Sequence, residues 1–161
     1  MSLFERPEYR WRETYFVVFP RANRPGRGQV EACLRGLDRR YDITTGRADE
    51  EGRFESITLV SPQDFSAMDI TYLEGDDVAE QVAELHRELA DSVLTDDEQA
   101  KWNRLRGCDD RFEIFHFEQM MEEDEQEADE YMDPGALLGV LERLAQLCGG
   151  VGIDPQSGAL M

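Results

Sequence analysis

The sequence predicts an α+β fold: a ferredoxin-like (split βαβ) antiparallel or mixed sheet with helices packed on one face, extended by a C-terminal helix and strand. Two observations predict it. The apolar pattern switches repeatedly between short β-branched or aromatic runs and helical stripes, in the order β-α-β-β-(β)-α-(α)-β-α-β. Strands do not alternate strictly with helices, and some are joined by hairpin-length turns, which a wholly parallel sheet does not allow. At 161 residues the chain is expected to form one domain, 1–161, able to bury about 70% of its unfolded surface. Residues 1–13 are charged and aromatic without clear period, a peripheral N-terminal arm.

"TYFVVFP" (14–20) reads as a buried strand and "RANRPGRG" (21–28) as a loop. In 29–40, Val30, Cys33, Leu34 and Leu37 fall at i, i+3, i+4, i+7, one apolar helical stripe. Residues 41–47 and 53–60 are β-rich and flank the turn "ADEEG", an antiparallel hairpin. A loop (61–67) leads to a strand at 68–74. Asp76 or Asp77 then caps a helix whose apolar face is Val78, Val82, Leu85, Leu89 and Val93. Thr95 three residues before Glu98 is a capping box, so a second short helix runs over 96–106. "RFEIFHFEQM" (111–120) has two partly apolar faces, as a central strand needs. An acidic loop (121–133) ends at Asp133, an N-cap, and Pro134, which opens a helix to Cys148 burying Leu137, Val140, Leu141, Leu144, Leu147 and Cys148.

The tail "LCGGVGIDPQSGALM" raises the question of a phosphate loop, but its order is helix, glycines, strand. A helix C-terminus carries partial negative charge and exposes carbonyls, so Gly149 is read as the helix-ending residue with positive φ. Val151 to Ile153 restarts a strand, "DPQSG" turns, and 159–161 returns as its partner. The stretch "LERLAQLCGGVGIDP" resembles the close of the ZipA C-terminal domain, another split-βαβ sheet, where a helix also ends in paired glycines before a strand and an acidic residue. The resemblance spans those residues alone and implies the fold, not a function.

Charge is the most informative property. The chain has 36 acidic and 17 basic residues and a net charge of −19. A field of that sign repels phosphate backbones and anionic lipid, so neither nucleic acid nor membrane is an expected partner. Residues 1–48 hold ten arginines against six acids, a balance of +4, so the remainder carries −23 of the net −19. Either the basic segment packs beside the acidic one, or an acidic face is offered to a cationic partner. Basic and acidic faces meeting between subunits of a homo-oligomer is the third arrangement. No apolar run approaches the ~20 residues that span a bilayer, and no leader-like n- and h-region opens the chain. With three separated cysteines (Cys33, Cys108, Cys148) read as reduced thiols, the expected location is cytoplasmic.

No nucleophile elbow, Walker loop, dinucleotide fingerprint or zinc spacing is present, so no catalytic residue, metal or cofactor is assigned. His116 and Glu118 share a strand face, where a carboxylate could orient the imidazole as a base. Arg21, Arg24 and Arg27 lie between a strand end and a helix start, where backbone N–H groups and guanidinium forks favour an anion. Glu122, Glu123, Asp124, Glu125, Glu127, Asp129 and Glu130 lack EF-hand spacing and are read as a solvated lure for a basic partner. The functional expectation is a non-enzymatic interaction or regulatory domain that binds a cationic protein through an acidic surface. The alternative is a ligand-binding or enzymatic domain that holds an anionic substrate at the Arg21–Arg27 loop.

Overall fold

The computed structural model describes residues 3–38, 40–120 and 135–161. It is a mixed α+β structure. Its strands are β1 (Tyr9–Phe19), β2 (Asp42–Ala48), β3 (Phe54–Ser61), β4 (Ser66–Glu74), β5 (Asp110–Gln119), β6 (Val151–Asp154) and β7 (Ala159–Leu160). Its helices are α1 (Arg27–Leu37), α2 (Asp76–Leu89), α3 (Asp96–Leu105) and α4 (Gly135–Cys148). The strands form one open sheet in the order β2-β3-β4-β5-β1-β6-β7, every pair antiparallel. β5 is the central strand, as its two apolar faces require.

The helices cover both faces, not the one face expected. Side chains alternate along a strand, so Val17 and Phe19 of β1 face one way and Phe16 and Val18 the other. α1 and α4 pack on the first face, over Phe19, Ile57, Met68, Phe112 and Ile114. α2 and α3 pack on the second, over Val18, Val151 and Ile153. A strand that is apolar on both sides needs two covers, as expected for the start of 111–120; placing all the helices on one face is what the structure corrects.

The segment 1–13, expected as a peripheral arm, is built into the sheet as far as it is described. β1 starts at Tyr9, and its first residues pair with Phe117–Gln119 across a bulge between Trp11 and Glu13. Leu3 is fully buried, and its backbone N–H donates to Asp69 Oδ2 at 2.9 Å, whose other oxygen accepts from Thr58 Oγ1 at 2.6 Å. The charged pattern of "YRWRE" hid this strand because its end of the sheet is half-exposed. A second difference lies at α2. Its N-cap is Gly75 at φ 132°, and Asp76 and Asp77 occupy the first turn instead, where their charge complements the helix dipole. Val93, placed on the apolar face by spacing, lies beyond the helix end and is exposed. Thr95 and Glu98 do form the capping box of α3.

The glycine pair after α4 closes the helix. Gly149 has φ 62°, and the N–H of Gly150 bonds to the Ala145 carbonyl at 2.8 Å, the long-range bond of a Schellman ending. Asn23 Nδ2 donates to the Cys148 carbonyl at 2.9 Å, satisfying a further C-terminal group. A side chain on Gly150 would collide with the backbone carbonyl of Val18. The N-cap expected at Asp133 and the opening Pro134 lie outside the described residues.

Leu137, Val140, Leu141 and Leu144 are buried as their spacing demands. Leu144→Ala should therefore lower stability by about 2–5 kcal/mol, read as a shift of the urea midpoint; an unchanged midpoint would remove α4 from the core.

Candidate functional site

The arginine loop follows β1, which delivers Arg21 to the sheet end where β4 finishes and β5 begins. There Arg21 Nε lies 3.0 Å from Asp110 Oδ1, and its backbone N–H donates to Asp109 Oδ1 at 2.7 Å. Asp110 is fully buried and also accepts a short hydrogen bond from the Tyr72 hydroxyl. Burial, and then the bond to Asp110, push the Tyr72 phenol well above its usual range, so it stays a neutral donor. Arg24 lies over the Tyr72 ring, 3.7 Å from its centroid, donates to the Phe54 carbonyl at 2.9 Å, and pairs with Asp49 at 3.6 Å. Its side chain is 9% exposed. Arg27 takes no part in this cluster: it reaches Glu31 at 3.8 Å and the Gly46 carbonyl at 3.4 Å.

The structure thus brings Arg21 and Arg24 together around a Tyr72–Asp110 pair and leaves Arg27 apart. All three arginines already face a carboxylate. The first backbone donors of α1 are also engaged, Gly26 N–H with Gln29 Oε1 at 2.8 Å and Arg27 N–H with the Gly52 carbonyl at 3.0 Å. An anion at this loop would compete with Asp110, Asp49 and Glu31 for the same donors.

The seven acids from Glu122 to Glu130 lie outside the described residues. Among the described residues, α2 carries an acidic stripe. Val78, Val82 and Leu85 turn inward, which sends Asp77, Glu80, Glu84 and Glu88 outward at i, i+3, i+7 and i+11, along one narrow stripe. All four are exposed, and no ion pair engages them among the described residues. Arg87 is the one arginine or lysine between positions 76 and 98. The i, i+3, i+7, i+11 spacing of these carboxylates is the sequence signal that marks the stripe.

A third constellation was not foreseen. His116 is held between two partners on neighbouring strands: Ser66 Oγ on β4 lies 2.9 Å from Nε2, and Glu13 Oε1 on β1 lies 3.1 Å from Nδ1. A carboxylate can only accept, so the ring proton belongs on Nδ1 and Nε2 accepts from the serine hydroxyl. The same-strand carboxylate singled out by spacing, Glu118, is not the partner; it is 1% exposed and ion-paired with Arg10 and Arg12. Nucleophile, imidazole and carboxylate stand in the order of a charge-relay triad. Ser66 and His116 are 1% and 0% exposed, however, so the hydroxyl is enclosed and the arrangement fastens three strands.

The three thiols are protonated. Burial pushes Cys108 up to about 11 and Cys148 up to about 12, and raises Cys33 in the same direction. His86 stacks on Trp102 with ring centroids 4.0 Å apart. No group of three metal-binding side chains gathers among the described residues, and none of their helices is long and apolar enough to cross a membrane. The chain matches no protein-family model, no curated protein sequence and no solved structure.

Burial lowers the His116 pKa below its ordinary value, against the opposing pull of Glu13. Arg12 also lowers it, and Glu118 raises it. With the folded value depressed below the unfolded value of about 6.5, the unfolded chain binds more protons as pH falls past that point. This contribution is fully present above about pH 6.5 and is lost below it. Between about pH 7.5 and pH 5.5 the wild type should lose stability in urea melts more steeply than His116→Gln. Asp38, drawn down to about 2 chiefly by its hydrogen bonds to Arg40, titrates below this window. Equal slopes would remove His116 as the source.

Proposed function

We propose that this chain is a non-enzymatic interaction domain that binds a cationic protein through an acidic surface, of which the outer face of α2 is the described part. The observation that carries the reading is energetic. Glu80, Glu84 and Glu88 stand at successive i,i+4 positions, and each such like-charge pair costs an isolated helix about 0.2–0.5 kcal/mol. Glu84 and Glu88 also approach the helix C-terminus, where a negative charge opposes the dipole. The buried carboxylates, by contrast, are matched: Glu118 with Arg10 and Arg12, and Asp110 with Arg21, while Asp49 pairs with Arg24 and Arg53. A stripe left unneutralised at a cost to folding is explained by a partner that neutralises it.

The run from Glu122 to Glu130 would extend this surface, and a cytoplasmic setting fits the reduced thiols. The fold reading belongs to the same proposal. Taking β1, α1, β4, β5, α4 and β6 as a βαββαβ order, the neighbours β4-β5-β1-β6, with α1 and α4 on one face, support a ferredoxin-like core in a single domain. The β2–β3 hairpin and the α2–α3 pair are then additions, and the acidic stripe lies on one of them.

The triple change Glu80→Gln, Glu84→Gln, Glu88→Gln tests the reading in two directions at once. It should raise the melting temperature slightly and weaken binding of a synthetic Arg/Lys peptide, with a shallower salt dependence. Unchanged binding would remove α2 from the surface.

The second reading, an anionic ligand held by Arg21, Arg24 and Arg27, has in its favour that Arg21 is half-exposed at a strand end. Because each arginine already has a carboxylate, we expect wild type and the triple glutamine variant to gain stability in parallel across a phosphate series. A saturable increment in the wild type alone, following RT ln(1 + [L]/Kd), would reverse the order of the two readings.

A further inference from the structure

Beside the acidic stripe, between α2 and the β6–β7 turn, lies a groove of about 500 Å³. Its floor is apolar: Phe16 of β1, Leu85 of α2 and Ile153 of β6, with Pro155 at one side. Two charged residues border it, Glu88 and Arg111, and they are not equivalent. Arg111 is committed within the fold. Its guanidinium lies over the Phe16 ring, 4.2 Å from the centroid, pairs with Glu113 at 2.7 Å, and bonds the Gln81 side-chain oxygen. Glu88 is exposed and continues the stripe of Glu84 and Glu80. The free charge at the rim is therefore negative, while the floor offers apolar contact of a size that suits organic groups.

We propose that this groove seats one bulky apolar side chain of a basic segment on the cationic partner, whose flanking Arg or Lys residues lie along Glu88, Glu84 and Glu80. The proposal rests on the acidic-surface reading above and names what that surface recognises: charge beside an apolar anchor, not charge alone. Charge complementarity decides the occupant. An anionic amphiphile would meet Glu88 and find Arg111 already neutralised; a basic segment meets no opposing free charge. A buried anchor also fixes register along a stripe whose evenly spaced carboxylates would otherwise accept a cationic chain in several positions.

The test uses the full chain and two short synthetic Arg/Lys peptides of equal charge, one with a central leucine and one with glycine there. The leucine peptide should bind roughly tenfold more tightly, a fraction of what full side-chain burial offers once ordering costs are met. That ratio should persist at raised salt while both affinities fall. Backbone amide shifts should concentrate at Gln81, Leu85, Ile153 and Ser157, and Leu85→Asn should erase the ratio. Should Leu85→Asn fail to fold, the wild-type ratio and shift map decide. Equal affinities that Glu80→Gln and Glu84→Gln both weaken would overturn the groove and leave the acidic surface standing. No binding of either peptide would overturn both. A leucine advantage with shifts away from the groove would also overturn the seat proposed here.

Discussion

The backbone carbonyl of Val18 and the α-carbon of Gly150 meet with no room for a side chain between them, and much of the fold depends on that contact. It fixes where the chain emerges from α4, directly against β1, so that Val151 and Gly152 can pair with Val18 and Val17. β1 is thereby hydrogen-bonded along both edges, to β5 and to β6. A strand enclosed at both edges and apolar on both faces must be covered twice. α1 and α4 supply one cover, α2 and α3 the other. The groove beside α2 sits on the same strands: Phe16 of β1 and Ile153 of the four-residue β6 line it together with Pro155 of the turn that follows.

Much of this was legible in the sequence, and the reasons differ by element. α4 was readable because its apolar residues repeat at helical spacing and its glycines close it. β5 was readable because both its faces are partly apolar, which suits a central strand. The first half of β1 was not, because residues 9–13 pair at a solvent-facing end where no hydrophobic alternation is needed. That the second cover is also helical was not legible, because strand patterns give the parity of each residue but not which element lies above it. The Glu13–His116–Ser66 contact was illegible for a related reason. It depends on the register of three strands and on a bulge in one of them, and register across distant strands leaves no mark in the spacing of any one strand.

The charge distribution was read correctly as unusual but only half resolved. The basic N-terminal segment does pack beside acidic residues from later in the chain, as Arg10, Arg12 and Arg21 show with Glu118 and Asp110. Both carboxylates are buried, and a buried carboxylate without a cation would be strongly unfavourable. The arginines are thus required at both ends of the β1–β5 pair, Arg10 and Arg12 at one and Arg21 at the other. That requirement weakens the case for them as a ligand site and sharpens the case for α2: once the arginines are assigned inside the fold, the acid surplus is a property of particular surfaces.

Two kinds of polar cluster therefore coexist, and they differ in what the fold gains from them. The His116 relay is enclosed, satisfied at both ring nitrogens and tied to three strands; removing one member strands the others in a low-dielectric interior. The α2 stripe is solvated and engaged by no ion pair among the described residues, and the i,i+4 repulsion among Glu80, Glu84 and Glu88 opposes it. Selection for stability alone would keep the first and erode the second. A feature that folding does not need and slightly resists is better explained by what approaches it from outside. The apolar floor along the same helix narrows that approach to a partner carrying positive charge and an anchor together.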